Sequence, residues 1–352
     1  MNFQGNRLII RGVEQGREIG RIPHLVANYQ AIALLNFDFI MTDQADCDRI
    51  FRKEDWRVCN MKFTYGEEKS RKYSYDWEEY EDGKKDASTI IAEILEDPKL
   101  PELEEVIVGC WGESWDNDAQ PIIDGIVSNK DKFSHIKSLF IGDMEYEECE
   151  VSWIEQADYS KLWEALPQLE KLTIKGSTNL TLGEINHANL KSLEIICGGL
   201  PKDVLQSIGE AKLPELRNLL LYIGVEDYGF DGDVSDIENM LTKSDFPKLE
   251  VLGIMDSEIQ DEITEVVVKS KYMGQIGELH LSMGSLTDKG GGILLKELPS
   301  YKNIRYVDLE YHYMSDEMME KLGELSMEVN VDDQQEDDEY DGEIYRYPML
   351  TE

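Results

Sequence analysis

The sequence predicts an α/β solenoid, a horseshoe with parallel strands on its concave face and helices on its convex face. Three observations predict it. An apolar triplet at spacing 0, +3 and +5 recurs eight times along the chain. Amphipathic helical stripes fill the gaps between triplets. A proline stands two residues before four of them, at Pro101, Pro167, Pro214 and Pro247, where it stops a helix. One strand and one helix cannot bury an apolar face alone, whereas stacked copies share one continuous core.

The elements follow in order. Residues 1–55 read as an N-terminal cap with strand patterns over Arg7–Val13 and Leu34–Ile40, where Leu35, Phe37 and Phe39 alternate. The solenoid is expected over 56–331. An early copy of the triplet stands at Val58/Met61/Phe63. Residues 64–86, charged and aromatic, read as an exposed loop leading to a helix at Ala87–Leu95 with the stripe Ile90, Ile91, Ile94 and Leu95. The triplets begin at Leu103, Ile136, Leu169, Leu190, Leu216, Leu249, Ile276 and Ile304, at intervals of 33, 33, 21, 26, 33, 27 and 28 residues. The +3 and +5 members lie two apart, so they share one face of a strand. Further helical stripes are Ile122/Ile123/Ile126/Val127, Val204/Leu205/Ile208, Ile263/Val266/Val267 and Ile293/Leu294/Leu298. A worn last copy is Val329/Val331. Residues 332–352 read as an acidic tail, because Val331–Tyr345 holds eight acids and no base. Disorder is expected there, with Tyr345, Tyr347, Pro348, Met349 and Leu350 able to fold back on the last repeat. A doubly wound sheet also alternates strands with helices, but it keeps no such fixed spacing, and no G-x-G-x-x-G follows a strand here.

Composition narrows the function. The 352 residues carry 73 acids and 35 bases, a net charge of −38. A nucleic-acid binder needs the opposite sign to displace counterions, and an anionic membrane would repel this chain. With 41% apolar residues the chain can still build a core. No apolar run is long enough to span a bilayer, and Met1–Arg11 lacks a signal-peptide core. Cys47, Cys59, Cys110, Cys149 and Cys197 are odd in number and form no C-x-x-C, which suits free thiols in a reducing cytoplasm.

The segment from Ile276, IGELHLSMGSLTDKGGGILLKEL, with its L-T-D-x-G helix entry at Leu286–Gly290, resembles the repeat of ribonuclease-inhibitor-type leucine-rich-repeat proteins. Residues from about 103 to 352 are similar to an uncharacterised bacterial leucine-rich-repeat family that carries a locus-tag name. The similarity runs through Gly109–Asp116 (GCWGESWD), Glu147–Gln156 (EECEVSWIEQ), Gly224–Tyr228 (GVEDY), Asp256–Asp261 (DSEIQD) and Tyr345–Glu352 (YRYPMLTE). It implies the fold and no particular activity.

In such a solenoid the strand positions +2, +4 and +6 point away from the core. Several in the middle are apolar, among them Ile107, Phe140, Ile196, Leu220, Val251 and Met255. Apolar area rimmed by charge suits a protein-binding face; cover by the chain's own loops is the bland alternative. The strand-exit loops are aromatic and acidic, and rigidly held loops commonly bind. The expected partner-binding set is Trp111, Glu113, Trp115, Phe140, Asp143, Glu148, Trp153, Leu220, Tyr222, Glu226, Asp227, Tyr228, Met255, Glu278, His280, Tyr306, Asp308, Glu310 and His312. The alternative for Trp111 and Trp153 is packing between successive loops. The expectation is therefore a non-catalytic module binding a protein with basic patches, without cofactor or metal. The alternative is a metal-dependent or acid–base hydrolase using Asp143 and Glu147–Glu150 with His280 or His312. Chemistry-bearing motifs are sparse. No two histidines have metal-ligand spacing, and the calcium-like start at Asp231 fails because Asp236 replaces the required Gly and Thr242 the closing Glu.

Overall fold

The chain's computed structural model describes residues 65–350, apart from Glu67 and Asp82. The expected N-terminal cap and the early triplet at Val58/Met61/Phe63 lie outside the described residues. Within them, ten parallel strands form one sheet in strict sequence order. They are β1 (Ser70–Tyr73), β2 (Glu105–Val108), β3 (Ser138–Ile141), β4 (Lys171–Lys175), β5 (Ser192–Ile196), β6 (Asn218–Gly224), β7 (Val251–Ser257), β8 (Glu278–His280), β9 (Tyr306–Asp308) and β10 (Glu328–Asn330). This is the α/β solenoid of the leucine-rich-repeat kind.

The triplet spacing produces the rungs directly. In β4 the +3 and +5 residues Leu172 and Ile174 are wholly buried, and Leu169 closes the turn before them. The register aligns copies without slippage: Leu139 pairs with Leu172, Leu172 with Leu193, Leu193 with Leu219 and Leu219 with Leu252. Two rows therefore run along the concave side. One reads Glu105, Ser138, Lys171, Ser192, Asn218, Val251, Glu278, Tyr306. The other reads Ile107, Phe140, Thr173, Glu194, Leu220, Gly253, His280, Asp308.

The convex side carries helices wherever the interval leaves room: α1 (Trp77–Glu81), α2 (Ala87–Glu96), α3 (Gln120–Ser128), α4 (Lys130–Phe133), α5 (Leu162–Ala165), α6 (Lys202–Gly209), α7 (Val234–Lys243), α8 (Gln260–Val267), α9 (Asp288–Glu297) and α10 (Asp316–Gly323). Asp86 starts α2 with a capping box, accepting from the Ser88 and Thr89 amides at 2.9 Å while Thr89 Oγ1 accepts from the Asp86 amide at 2.7 Å. The 21-residue interval between the third and fourth triplets has no helix. Extended backbone replaces it, bridging Glu155 to Thr178 and Asp158 to Thr181.

A second ladder ties repeat to repeat. The residue before a triplet reaches back to carbonyls of the preceding rung. Asn303 Nδ2 donates to Met273 and Ile276 at 2.8 and 2.6 Å, and Gln275 Nε2 to Phe246 and Leu249 at 2.9 and 2.8 Å. Asn189 Nδ2 does the same to Pro167 at 2.8 Å, and His135 Nε2 meets the Leu100 carbonyl at 3.0 Å. These contacts supply donors to carbonyls at the turns between elements.

Two expectations give way. Residues 64–86 are not simply a loop, since they contain β1 and α1. An end rung has a neighbour on one side only among the described strands, so β1 needs little apolar content; Lys69, Arg71 and Lys72 reach Glu104, Asp97 and Asp143 instead, at 2.5, 2.6 and 3.0 Å. The acidic tail is also more structured than its composition suggests. Residues Asp338–Tyr340 (β11) and Glu343–Tyr345 (β12) form an antiparallel hairpin turned at Asp341 and Gly342, both left-handed. Arg346 binds Asp337 through Nε and one terminal nitrogen at 2.6 and 2.9 Å.

Candidate functional site

The strand exits turn through left-handed backbone. Gly142, Gly176 and Gly224 do so with φ of 95°, 98° and 72°. At Gly224 a Cβ would sit 1.7 Å from the Gly198 carbonyl oxygen, so only glycine fits. On the last rungs the same turn is made by Asp256, Met283 and Tyr311, with φ of 55°, 66° and 62°. For side chains of this kind that conformation costs about 1–3 kcal/mol each.

The expected binding residues separate into two groups. Trp111 is wholly buried, and its indole N–H donates to the Asn117 carbonyl at 2.8 Å. It packs between loops and is not a surface anchor. Leu220, Tyr222 and Met255 are also buried, which corrects their reading as open concave residues. The reason is local: Leu220 Cδ2 and Met255 Cε lie 2.7 and 3.2 Å from where a Cβ on Gly253 would stand. The two side chains close over that glycine. His312 is buried too, holding the Val331 carbonyl at 3.1 Å and accepting from the Met314 amide at 3.1 Å.

Glu278 and His280 are buried at the C-terminal end of the two rows. His280 Nδ1 lies 3.3 Å from Asp308 Oδ2, with the Tyr306 ring edge-on at 5.8 Å. Burial alone would raise the Asp308 carboxyl, but its bonds to His280 and Asn330 hold it below the usual carboxylate range. Burial and the charge of Asp308 push Glu310 the other way. Further along, burial lifts the Glu194 carboxyl against the pull of Lys171 and the Thr173 hydroxyl.

The remaining residues face solvent wholly or in part: Glu113, Trp115, Phe140, Asp143, Glu148, Trp153, Glu226, Asp227, Tyr228, Tyr306, Asp308 and Glu310. Trp153 is 58% exposed, and two aromatics outside the expected set match it, Tyr146 at 60% and Trp77 at 61%. Trp77 packs edge-on against Tyr80, and Tyr80 against Trp115, at 5.2 and 6.4 Å. The acids nearby are partly neutralised. Lys72 pairs with Asp143 at 3.0 Å, and Glu148 accepts the Glu145 amide at 2.8 Å. Lys175 donates to the Met144 carbonyl at 2.5 Å; burial lowers its pKa while Glu145, Asp143 and Glu148 oppose that. Sequence reasoning missed these lysines because their partners lie one or two rungs away, about 30–70 residues off in the chain.

Among the described residues, no three His, Cys, Asp or Glu side chains gather where they could hold a metal ion. Cys110, Cys149 and Cys197 are buried free thiols, and burial pushes Cys197 up to about 12. Such thiols are poor nucleophiles. Among the described residues no helix is long and apolar enough to cross a membrane.

No protein-family model and no curated protein matches the chain. Solved structures do. A protein from Bacteroides fragilis, determined as a structural-genomics target, is 41% identical over 80% of this chain and 77% of its own, with a TM-score of 0.73. An internalin from Listeria monocytogenes is 13% identical over 70% of this chain and 63% of its own, with a TM-score of 0.30, too slight a likeness to bear on fold or function. The 41% identity extends through most of both chains, so the chain belongs to the family of the Bacteroides fragilis protein.

Proposed function

We propose that the chain is a non-catalytic interaction module that captures a protein partner with basic patches through its strand-exit loops and the open part of its concave face. The observation that carries this reading is the exposure of three aromatics at strand exits: Trp77 beside Glu78 and Glu79, and Tyr146 and Trp153 on the segment that also bears Asp143, Glu145 and Glu148. Solvent-facing Trp and Tyr are the side chains from which binding hot spots are built. Flanking acids set approach rate and selectivity more than affinity. Phe140, Tyr306 and Asp308 extend the surface along the two concave rows, and Glu310 follows at the exit of β9. Leucine-rich-repeat solenoids generally serve as interaction scaffolds.

Within this reading the repeats are of the ribonuclease-inhibitor type. The setting is a bacterial cytoplasm, and the charge of −38 disfavours nucleic acid as the partner. The test is to tag the full chain in its native host and identify what co-purifies at low and at high salt, beside a Trp153→Ala/Tyr146→Ala variant. The expected result is a defined set of polypeptides that the variant loses and whose association slows steeply with salt. Co-purification that the variant retains would remove the exit loops from the interface. A salt-independent association rate would remove the basic partner.

A further inference from the structure

The chain's own C-terminal segment lies across the exit corner of the last rungs. The Met349 amide donates to the Met283 carbonyl at 2.8 Å, and the Leu350 amide to Asp256 Oδ1 at 2.8 Å. The Tyr347 amide donates to the Tyr313 hydroxyl at 3.0 Å. The Tyr347 carbonyl accepts from the Tyr311 and Tyr313 hydroxyls at 3.2 and 3.0 Å. Every one of these bonds goes to a main-chain atom of the segment. Of its side chains only Pro348 is buried, while Tyr347 and Met349 stand 52% and 44% exposed. An extended peptide read through its backbone, with one or two side chains seated, is a recurring recognition mode that accepts other sequences of the same shape.

The receptor side is built at a cost that packing does not explain. Asp256, Met283 and Tyr311 stand at the same place on three successive rungs, all with left-handed backbone, where β4 is followed by Gly176. The Asp256 carboxyl is wholly buried, and its Oδ2 has no protein partner. A buried acid held without a cation weakens a core, so its presence points to something it receives. What it receives here is a peptide amide. The hairpin β11–β12 that leads into the segment is exposed on both strands, so the segment can leave without opening the solenoid core.

We propose that this corner is a receptor site for an extended segment of a partner protein, a proline flanked by aromatic and apolar residues, and that Tyr347–Leu350 is a resident occupant that must leave before such a segment binds. The proposal rests on the interaction-module reading for its biological use, but its test needs no partner. The probe is a fluorescein-labelled peptide with the sequence of residues 345–352, YRYPMLTE. It is titrated by anisotropy into the full chain and into the full chain carrying Pro348→Gly and Leu350→Asp. The second substitution sets a carboxylate beside Asp256 and loosens the resident segment. Amide exchange over residues 346–350 reports whether the segment has left.

The expected result is fast exchange in the loosened chain and peptide affinity at least tenfold above the unmodified chain. Adding Tyr311→Phe and Tyr313→Phe should lower that affinity, and adding Asp256→Ala should abolish it. The tyrosine pair keeps the test valid if the Asp256 change impairs folding. Equal affinity for both chains, binding insensitive to the tyrosine substitutions, or exchange that stays slow in the loosened chain would each overturn the proposal. Peptide capture without loss of partners at Trp153, or the reverse, separates its failure from that of the interaction-module reading.

Discussion

Replacing Asp256 with Asn removes the charge from a fully buried carboxyl while keeping an acceptor for the Leu350 amide. Burial lifts the Asp256 pKa from 3.8 to about 7, with the Leu350 and Met349 amides opposing the rise. Tyr222 on the adjacent rung, and Cys197 and Tyr311 two rungs away on either side, lie within reach of its charge, and burial raises the pKa of each, so all three stay neutral near pH 7. The sign follows from linkage. The folded chain holds the Asp256 proton more tightly than the unfolded chain, so this contribution is fully present below the unfolded value near 4 and is lost as pH rises to about 7. At about 1.4 kcal/mol per unit, the unmodified chain should lose about 2–3 kcal/mol more than Asp256→Asn between roughly pH 5 and 8. Urea unfolding of both chains across that range measures it, because every other titration cancels in the difference. A difference that is flat with pH would show that Asp256 is solvated in solution and refute the burial argument.

Other substitutions test the packing. Asn303→Leu leaves the buried Met273 and Ile276 carbonyls without their donor, and should cost about 2 kcal/mol or more in urea unfolding. Asn303→Gln should recover most of that loss, since Gln275 does the same work one rung earlier. Trp111→Ala should cost about 3–5 kcal/mol, as expected for a wholly buried indole. Trp153→Ala should change stability by no more than about 0.5 kcal/mol, because its ring is 58% exposed. Equal losses from the two tryptophans would contradict their assignment to core and surface.

Much of the solenoid was legible because its signal is local and repeated. The pair Leu172 and Ile174 declares a buried strand face within three residues, and the copies at Leu193/Ile195 and Leu219/Leu221 repeat it. The Asn and Gln ladder was equally present in the chain, at Asn189, Gln275 and Asn303, each one residue before a triplet. It is readable only once one knows that this position faces carbonyls of the rung before. β1 was missed because Ser70–Tyr73 has little apolar content and is held by backbone pairing and ion pairs to residues 26–71 positions away.

By itself the sequence determined the repeat, the order and register of the rungs, and the two concave rows, since each rung repeats the contacts of its neighbours. Only the tertiary structure decided which concave residues stay open. Leu220 and Met255 close over Gly253, a matter of side-chain reach between rungs. Asp256 meets Leu350 across 94 residues, a contact with no period to announce it. Spacing alone cannot tell a surface acid from a buried one when the cover comes from the far end of the chain, and that is why the exit corner at Asp256, Met283 and Tyr311 became visible only in three dimensions.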